Sequence, residues 1–277
     1  MHIHILGIAG TFMAGIARLA RECGHEVTGS DSAVYPPMST QLEALGIDII
    51  EGYAPEMLPA GADLFVIGNV MSRGNPAVEY ILDQRLPYES GAAWLAREVL
   101  PGRQVLAVAG THGKTTTASI LAYLLDSAGL QPGFMIGGVP ECFGVSARSG
   151  GEYFVIEADE YDTAFFDKRS KFVHYRPGIL VLNNLEFDHA DIFPDLDAIK
   201  WQFHQLLRCV PASGRLIVRD GDAALAAVLD MGCWTRATYF GLDGGDWRIT
   251  DDGADCVVTG PGGAVQIATP LLGTHNR

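Results

Sequence analysis

A chain of 277 residues that is 48% hydrophobic has room for two ordinary domains, each with its own core. Its formal net charge of −14 argues against a nucleic-acid groove or an anionic membrane surface as partner, and leaves any anionic substrate to loops of locally positive potential. The five cysteines (Cys23, Cys142, Cys209, Cys233 and Cys256) are odd in number, scattered and without a Cys-x-x-Cys pair, which reads as reduced thiols of a cytoplasmic protein. Met1-His2-Ile3-His4 leads directly into a strand instead of a signal peptide, and no apolar run is long enough to span a bilayer.

The first strand, His4 to Gly7, runs into Gly7-Ile8-Ala9-Gly10-Thr11-Phe12 and a helix from Met13 to about Cys23. A second strand, Glu26 to Gly29, ends at Ser30-Asp31. This strand–turn–helix–strand unit places an acidic residue where it suits a ribose hydroxyl, but Ala9 stands where a dinucleotide fingerprint has its second glycine. On these residues alone a nucleotide diphosphate site and plain helix–strand packing both stay open. Tyr35-Pro36-Pro37-Met38-Ser39 opens a helix to Leu45, and Asp48 to Ile50 and Asp63 to Gly68 read as strands. Asn69 to Asn75 is a polar loop at a strand's carboxyl end, the edge where open α/β sheets hold ligands. Pro76 begins a helix to about Gln84, Leu86 to Glu89 is a short strand and Ala92 to Val99 a helix. Pro101-Gly102-Arg103 reads as a linker, dividing residues 1–101 from 102–277.

Beyond the linker, Val105 to Ala109 is a buried parallel strand and Ala118 to Ala128 has helical spacing. Between them lies Gly110-Thr111-His112-Gly113-Lys114-Thr115-Thr116-Thr117, in the layout of a phosphate-binding loop. Glycines let backbone N–H groups converge on a polyphosphate, the helix N-terminus adds a positive dipole, Lys114 can reach the terminal phosphates and the Thr115 hydroxyl can ligate Mg²⁺. The loop is a short form, because Val108 sits where the longer pattern has its first glycine.

The strand Tyr153 to Ile156 ends in Glu157-Ala158-Asp159-Glu160-Tyr161-Asp162, which reads either as a solvated loop or, at that strand edge, as a carboxylate that can hold Mg²⁺. Phe165 to His174 is basic within an acidic chain and reads either as a solvated turn or as a contact to an anionic substrate. The strand Gly178 to Leu182 ends in Asn183-Asn184-Leu185-Glu186-Phe187-Asp188-His189, where His189 beside Asp188 is a candidate metal ligand. A helix from Leu196 to Leu207, a strand Arg215 to Val218, a helix Ala223 to Asp230 and a strand Ala237 to Phe240 follow. The Gly- and Asp-rich stretch Asp243 to Asp255 and the short runs Trp247 to Thr250, Cys256 to Thr259 and Val265 to Ala268 suggest antiparallel strands at a domain edge. The chain stops in Leu272-Gly273-Thr274-His275-Asn276-Arg277, a loop entering a helix, which reads as a truncation.

Four motifs, Gly110-Thr111-His112-Gly113-Lys114-Thr115-Thr116, Glu157-Ala158-Asp159-Glu160, Asn184-Leu185-Glu186-Phe187-Asp188-His189 and Gly273-Thr274-His275-Asn276, together resemble the Mur ligases, the ATP-dependent amide-forming enzymes of bacterial peptidoglycan. The resemblance runs the length of the chain. It implies an α/β fold: a Rossmann-like parallel-sheet domain that binds a UDP-sugar (1–101), then a P-loop-type central domain that binds ATP (102–277), with the family's C-terminal domain absent. His112 in the phosphate loop is similar to the branch acting on UDP-N-acetylmuramate, for which two acceptors compete, free L-alanine and the tripeptide L-Ala-γ-D-Glu-meso-diaminopimelate. Gly10-Thr11-Phe12-Met13, Tyr35-Pro36-Pro37-Met38-Ser39, Gly68-Asn69 with Arg73-Gly74-Asn75-Pro76, and the stretch from Phe165 to Tyr175 resemble the branch that uses the tripeptide in peptidoglycan recycling, and that branch is the expectation.

The resemblance implies roles. Lys114, Glu157 and His189 are the expected catalytic residues, with Thr115, Glu157 and His189 as Mg²⁺ ligands. Gly110, Thr111, His112, Gly113, Lys114, Thr115 and Thr116 take the ATP phosphates, and His275 and Asn276 approach its adenine and ribose. Gly7, Ile8, Ala9, Gly10, Thr11 and Phe12 take the UDP diphosphate, with Asp31 near the uridine and Asn69, Ser72 and Asn184 also on the UDP-sugar side. Without the third domain these residues are expected to bind ligands but not to form the amide. An NAD-dependent oxidoreductase would leave the Lys-Thr loop unused, and a nucleotide-switched binding module would need no UDP-sugar; neither explains four ordered motifs.

Overall fold

The computed structural model describes residues 1–188, 192–242, 244–251 and 255–268. Two sheets carry the chain. The first has five parallel strands: β1 (His2–Leu6), β2 (Glu26–Asp31), β3 (Ile49–Glu51), β4 (Leu64–Ile67) and β5 (Tyr88–Ser90), in the order β3-β2-β1-β4-β5. Strand order reverses between β1 and β4, so the loops after them, 7–10 and 68–75, face each other across the crevice where such sheets bind ligands. Helices α1 (Thr11–Glu22), α2 (Met38–Ala44), α3 (Pro76–Asp83) and α4 (Gly91–Glu98) connect the strands. Asn75 caps α3 by accepting from the N–H groups of Ala77 and Val78, and Ser90 caps α4 by accepting from Ala93 N–H.

The second sheet has ten strands. Its centre is parallel: β6 (Gln104–Ala109), buried on both faces from Val105 onward, lies between β9 (Tyr153–Ala158) and β12 (Ile179–Leu182). Beyond β12 come β13 (Arg215–Arg219), β14 (Ala237–Gly241) and β15 (Trp247–Asp251), and β16 (Asp255–Gly260) and β17 (Gly263–Ala268) extend that edge antiparallel, as their alternating pattern predicted. Helices α5 (Lys114–Ser127), α6 (Leu196–Leu207) and α7 (Ala223–Asp230) pack on this sheet's domain.

Several elements differ from the sequence expectation. α5 begins at Lys114, four residues before the apolar spacing sets in, because Gly113 takes the left-handed conformation (φ 79°) and its carbonyl accepts from Thr117 N–H at 2.9 Å, overriding the weak helix preference of three threonines. The short strands β7 (Gly133–Met135) and β8 (Ala147–Arg148) carry too few residues to show alternation. The basic segment after Tyr161 is a hairpin, β10 (Asp162–Ala164) with β11 (Asp167–Ser170), followed by a 3₁₀ turn, Lys171–His174.

The two sheets are packed together. Ile16, Ala17 and Ala20 of α1 belong to the same buried cluster as Met135 and Ala147 of the second sheet. Gly15 permits this approach, since a Cβ there would stand 3.0 Å from the Met135 methyl. Polar bonds span the seam as well: Ser149 N–H donates to Glu22 at 2.7 Å and Ser146 Oγ donates to Gln41 at 3.2 Å. The carboxyl-end loops of both sheets thereby open on one cleft.

Candidate active site

The phosphate loop leaves β6 at Ala109 and enters α5 at Lys114. The loop after β12 holds its shape. Asn184 uses both ends of its amide there: Oδ1 accepts from His112 N–H at 2.8 Å and Nδ2 donates to His112 O at 3.0 Å. Asn184 O accepts from Thr111 N–H at 3.1 Å, and Asn183 Nδ2 donates to Thr117 Oγ1 at 2.8 Å. Asn184, expected on the UDP-sugar side, here braces the phosphate loop through its amide.

Lys114 Nζ donates to Gly110 O at 2.8 Å, to Thr111 O at 3.3 Å and to Glu160 Oε2 at 3.2 Å. Glu160 is 2% exposed, so this pair is nearly dry on its acidic side. The sequence showed four carboxylates in six residues without saying which one meets the lysine; in the structure it is Glu160, two residues beyond the end of β9. Glu157 sits on the other side. Its Oε1 accepts from Gly137 N–H at 2.7 Å and its Oε2 accepts from the Thr115 hydroxyl at 3.1 Å. Burial pushes the Glu157 carboxyl above its usual range, against the Gly137 and Thr115 hydrogen bonds and the Lys114 charge.

The donor set suits a small hard cation. A threonine hydroxyl and one carboxylate at the mouth of a phosphate loop leave the remaining positions to phosphate oxygens and water, the usual arrangement for Mg²⁺. Among the described residues no group of three or more His, Cys, Asp or Glu side chains is placed to hold a metal alone. His189, His275 and Asn276 lie outside the described residues.

In the first sheet, Asp31 turns inward. It is 8% exposed; Oδ2 accepts from Ala9 N–H at 2.8 Å and Oδ1 from Ala33 N–H at 3.1 Å. It therefore orders the Gly7–Gly10 turn. Ile8 is fully buried beneath that turn, and Ser72 is exposed in the turn before α3. Gly7, Gly10, Thr11, Phe12 and Asn69 face Lys114 and Glu157 across a cleft of about 370 Å³, walled also by Gly137, Asp159, Tyr161, Lys171 and Tyr175. The cleft joins the turn of the first sheet to the phosphate loop of the second, which is the geometry needed to bring a group on one ligand to a phosphate of another. Sequence reasoning marked the acidic run and the basic segment without singling out Asp159, Glu160 or Lys171, and it missed Gly137 and Tyr175.

The comparisons with known proteins agree with this organisation. The model of the Mur ligase family, catalytic domain, matches residues 2–102, and that of the Mur ligase middle domain matches residues 108–277. The chain is 56% identical over 281 residues to the UDP-N-acetylmuramate–L-alanyl-γ-D-glutamyl-meso-2,6-diaminoheptandioate ligase of Escherichia coli, covering 100% of this chain and 61% of that protein. A crystal structure of the corresponding ligase from Neisseria meningitides superposes with a TM-score of 0.94 at 56% identity, covering 99% of this chain and 89% of that one. A UDP-N-acetylmuramate–L-alanine ligase of Renibacterium salmoninarum is 36% identical over 278 residues, covering 97% of this chain and 55% of its own length. The chain thus spans about three fifths of the Escherichia coli relative (61%). Matched family models over both sheets, on a fold whose phosphate loop and glycine turn meet at one cleft, establish that the chain belongs to the Mur ligase family.

Proposed function

We propose that this chain is the sugar-nucleotide- and ATP-binding part of a ligase that joins L-Ala-γ-D-Glu-meso-diaminopimelate to UDP-N-acetylmuramate at the expense of ATP. The observation that carries the proposal is the shared cleft, with the Gly7–Phe12 turn on one wall and Lys114 and Glu157 on the other. The choice of acceptor is supported by 56% identity to the tripeptide ligase against 36% to an alanine ligase.

The chemistry follows from charge. A lactyl carboxylate oxygen attacks the γ-phosphorus of ATP and ADP leaves; the L-alanyl amine then attacks the acyl carbon, phosphate leaves, and the nitrogen loses a proton. Both steps concentrate negative charge, so preplaced cations and N–H groups dominate the barrier. Lys114 releases its hold on the loop carbonyls to meet the β- and γ-phosphates. Thr115 and Glu157 would hold Mg²⁺, which would neutralise phosphate charge there. The Gly7–Phe12 turn fixes the diphosphate of the sugar nucleotide, with Asp31 keeping that turn in shape. Asn184 keeps the phosphate loop open for the polyphosphate.

The test is ATP-dependent phosphate release by the full-length gene product with UDP-N-acetylmuramate and Mg²⁺, using the tripeptide or L-alanine as acceptor. Release with the tripeptide and little with L-alanine is expected. The reverse would assign the biosynthetic alanine step, and release with neither would refute the ligase reading.

A further inference from the structure

The β10–β11 hairpin belongs to the second half of the chain but is anchored on the first sheet. Phe165 at its tip packs against the cluster of Leu6, Ile67 and Met71, and Phe166 meets Tyr88 of β5 edge to face with ring centroids 5.0 Å apart. The basic side chains behind the tip then diverge. Lys168 and Arg169 face solvent and pair within the hairpin, with Asp162 at 2.5 Å and Asp167 at 2.6 Å. Lys171 turns into the cleft: its side chain is 8% exposed, and Nζ lies 5.2 Å from the ring centroid of Phe12 and 5.7 Å from that of Tyr161.

That ammonium is poorly satisfied. Among the described residues its one hydrogen bond goes to Asp159 Oδ2 at 3.4 Å, near the outer limit for such a contact. An ammonium has three donors, and a buried cation is costly unless they are filled. Ring faces offset part of that cost but accept no hydrogen bond in the ordinary sense. Four residues on, Tyr175 lines the same wall at 2% exposure, and its hydroxyl makes no hydrogen bond with the described residues. Burial, with the Asp159 and Glu157 carboxylates nearby, raises its pKa well above the usual value and keeps it a donor.

We propose that Lys171, with the Tyr175 hydroxyl, binds an anionic oxygen of the sugar nucleotide on the Phe12 side of the cleft, so that the hairpin makes binding of that ligand depend on both halves of the chain. The inference rests on the function proposed above. The ligand offers two oxyanions, its diphosphate and its lactyl carboxylate, and either would complete the unfilled donors.

The test is calorimetric binding of UDP-N-acetylmuramate, UDP-N-acetylglucosamine (the diphosphate without the carboxylate) and Mg·ATP to the wild type, Lys171→Met, Lys171→Arg and Tyr175→Phe. Lys171→Met is expected to weaken UDP-N-acetylmuramate about tenfold or more, the loss of one charge-assisted hydrogen bond. It should leave Mg·ATP within about twofold, and Lys171→Arg should recover most of the loss. Tyr175→Phe, which keeps the packed ring, should cost about three- to tenfold. Loss on both sugar nucleotides assigns the diphosphate; loss on UDP-N-acetylmuramate alone assigns the carboxylate. A wild type that binds UDP-N-acetylmuramate with Lys171→Met and Tyr175→Phe equal to it would overturn this inference alone. So would Lys171→Met and Lys171→Arg that both lose ATP along with the sugar, since that marks a purely structural lysine. A wild type that binds Mg·ATP but neither sugar nucleotide would overturn the reading of the cleft itself.

Discussion

Lys114 Nζ stands 3.2 Å from Glu160 Oε2, a carboxylate only 2% exposed. The lysine proposed to meet ATP phosphates is thus already paired with an acidic side chain. Removing Lys114 alone takes one cationic partner from a carboxylate that is 2% exposed, which destabilises the fold. Lys114→Met should therefore lower the thermal midpoint and abolish nucleotide binding together. The double variant Lys114→Met/Glu160→Gln should regain most of the stability but none of the binding. Nucleotide titration beside thermal unfolding of both variants checks this, and a double variant that binds ATP would remove Lys114 from its assigned role.

Glu157 offers a different separation. It accepts from one hydroxyl and one N–H group, and burial raises its pKa above the usual carboxylate value. Glu157→Gln keeps the shape and one acceptor oxygen for Gly137 N–H, and its amide NH2 can donate to the Thr115 hydroxyl, so the fold should melt within about 1 kcal/mol of the wild type. Mg²⁺ should no longer strengthen ATP binding. Affinity measured with and without Mg²⁺ in both proteins is the check, and an unchanged Mg²⁺ effect would place the ion elsewhere.

Asn184→Ala removes two hydrogen bonds from the His112 backbone without touching a ligand. ATP binding should weaken about tenfold through a loosened loop, at roughly 1 kcal/mol per lost bond, while the affinity for UDP-N-acetylmuramate stays within about twofold. A selective loss of the sugar nucleotide in titration would place Asn184 on the UDP-sugar side instead.

His4 gives the pH dependence a sign. It is fully buried in β1, with Nδ1 2.8 Å from Thr28 Oγ1 and Nε2 2.8 Å from Ser30 Oγ. Burial, with a smaller contribution from His2, lowers its pKa from 6.5 to about 4. Between those values the unfolded chain binds the proton and the folded one does not, so stability is complete above pH 6.5 and is lost as pH falls toward 4. The loss from this one group is about 3 kcal/mol. Denaturant midpoints between pH 7 and pH 4, with an imidazole titration for His4, test it; a titration midpoint near 6.5 would contradict the burial argument.

Much of the site was legible because its chemistry is local. The phosphate loop needs glycines, a lysine and a threonine in consecutive positions, and a strand before it; those are visible in Val105 to Thr117. The parallel cores showed as apolar runs. What stayed hidden depends on side-chain direction. Lys168, Arg169 and Lys171 look alike in the sequence, but the 3₁₀ turn starting at Lys171 breaks the hairpin's alternation and sends only that cation inward. Asn184 reads as a polar loop residue until the distance to His112 shows where its amide is used. Asp31 was placed at the right strand end, yet its carboxylate faces the Ala9 amide, a matter of rotamer that spacing does not encode.

The central claim is that a carboxylate of the sugar nucleotide is phosphorylated by ATP in this cleft. The most direct measurement supplies the full-length protein with UDP-N-acetylmuramate carrying ¹⁸O in its lactyl carboxylate, together with ATP, Mg²⁺ and the tripeptide. Attack by that carboxylate on the γ-phosphorus transfers one labelled oxygen to the phosphate released at the amide step. Released phosphate bearing a single ¹⁸O per amide formed is the predicted result; unlabelled phosphate, with the expelled ¹⁸O found in nucleotide or water, would contradict the account.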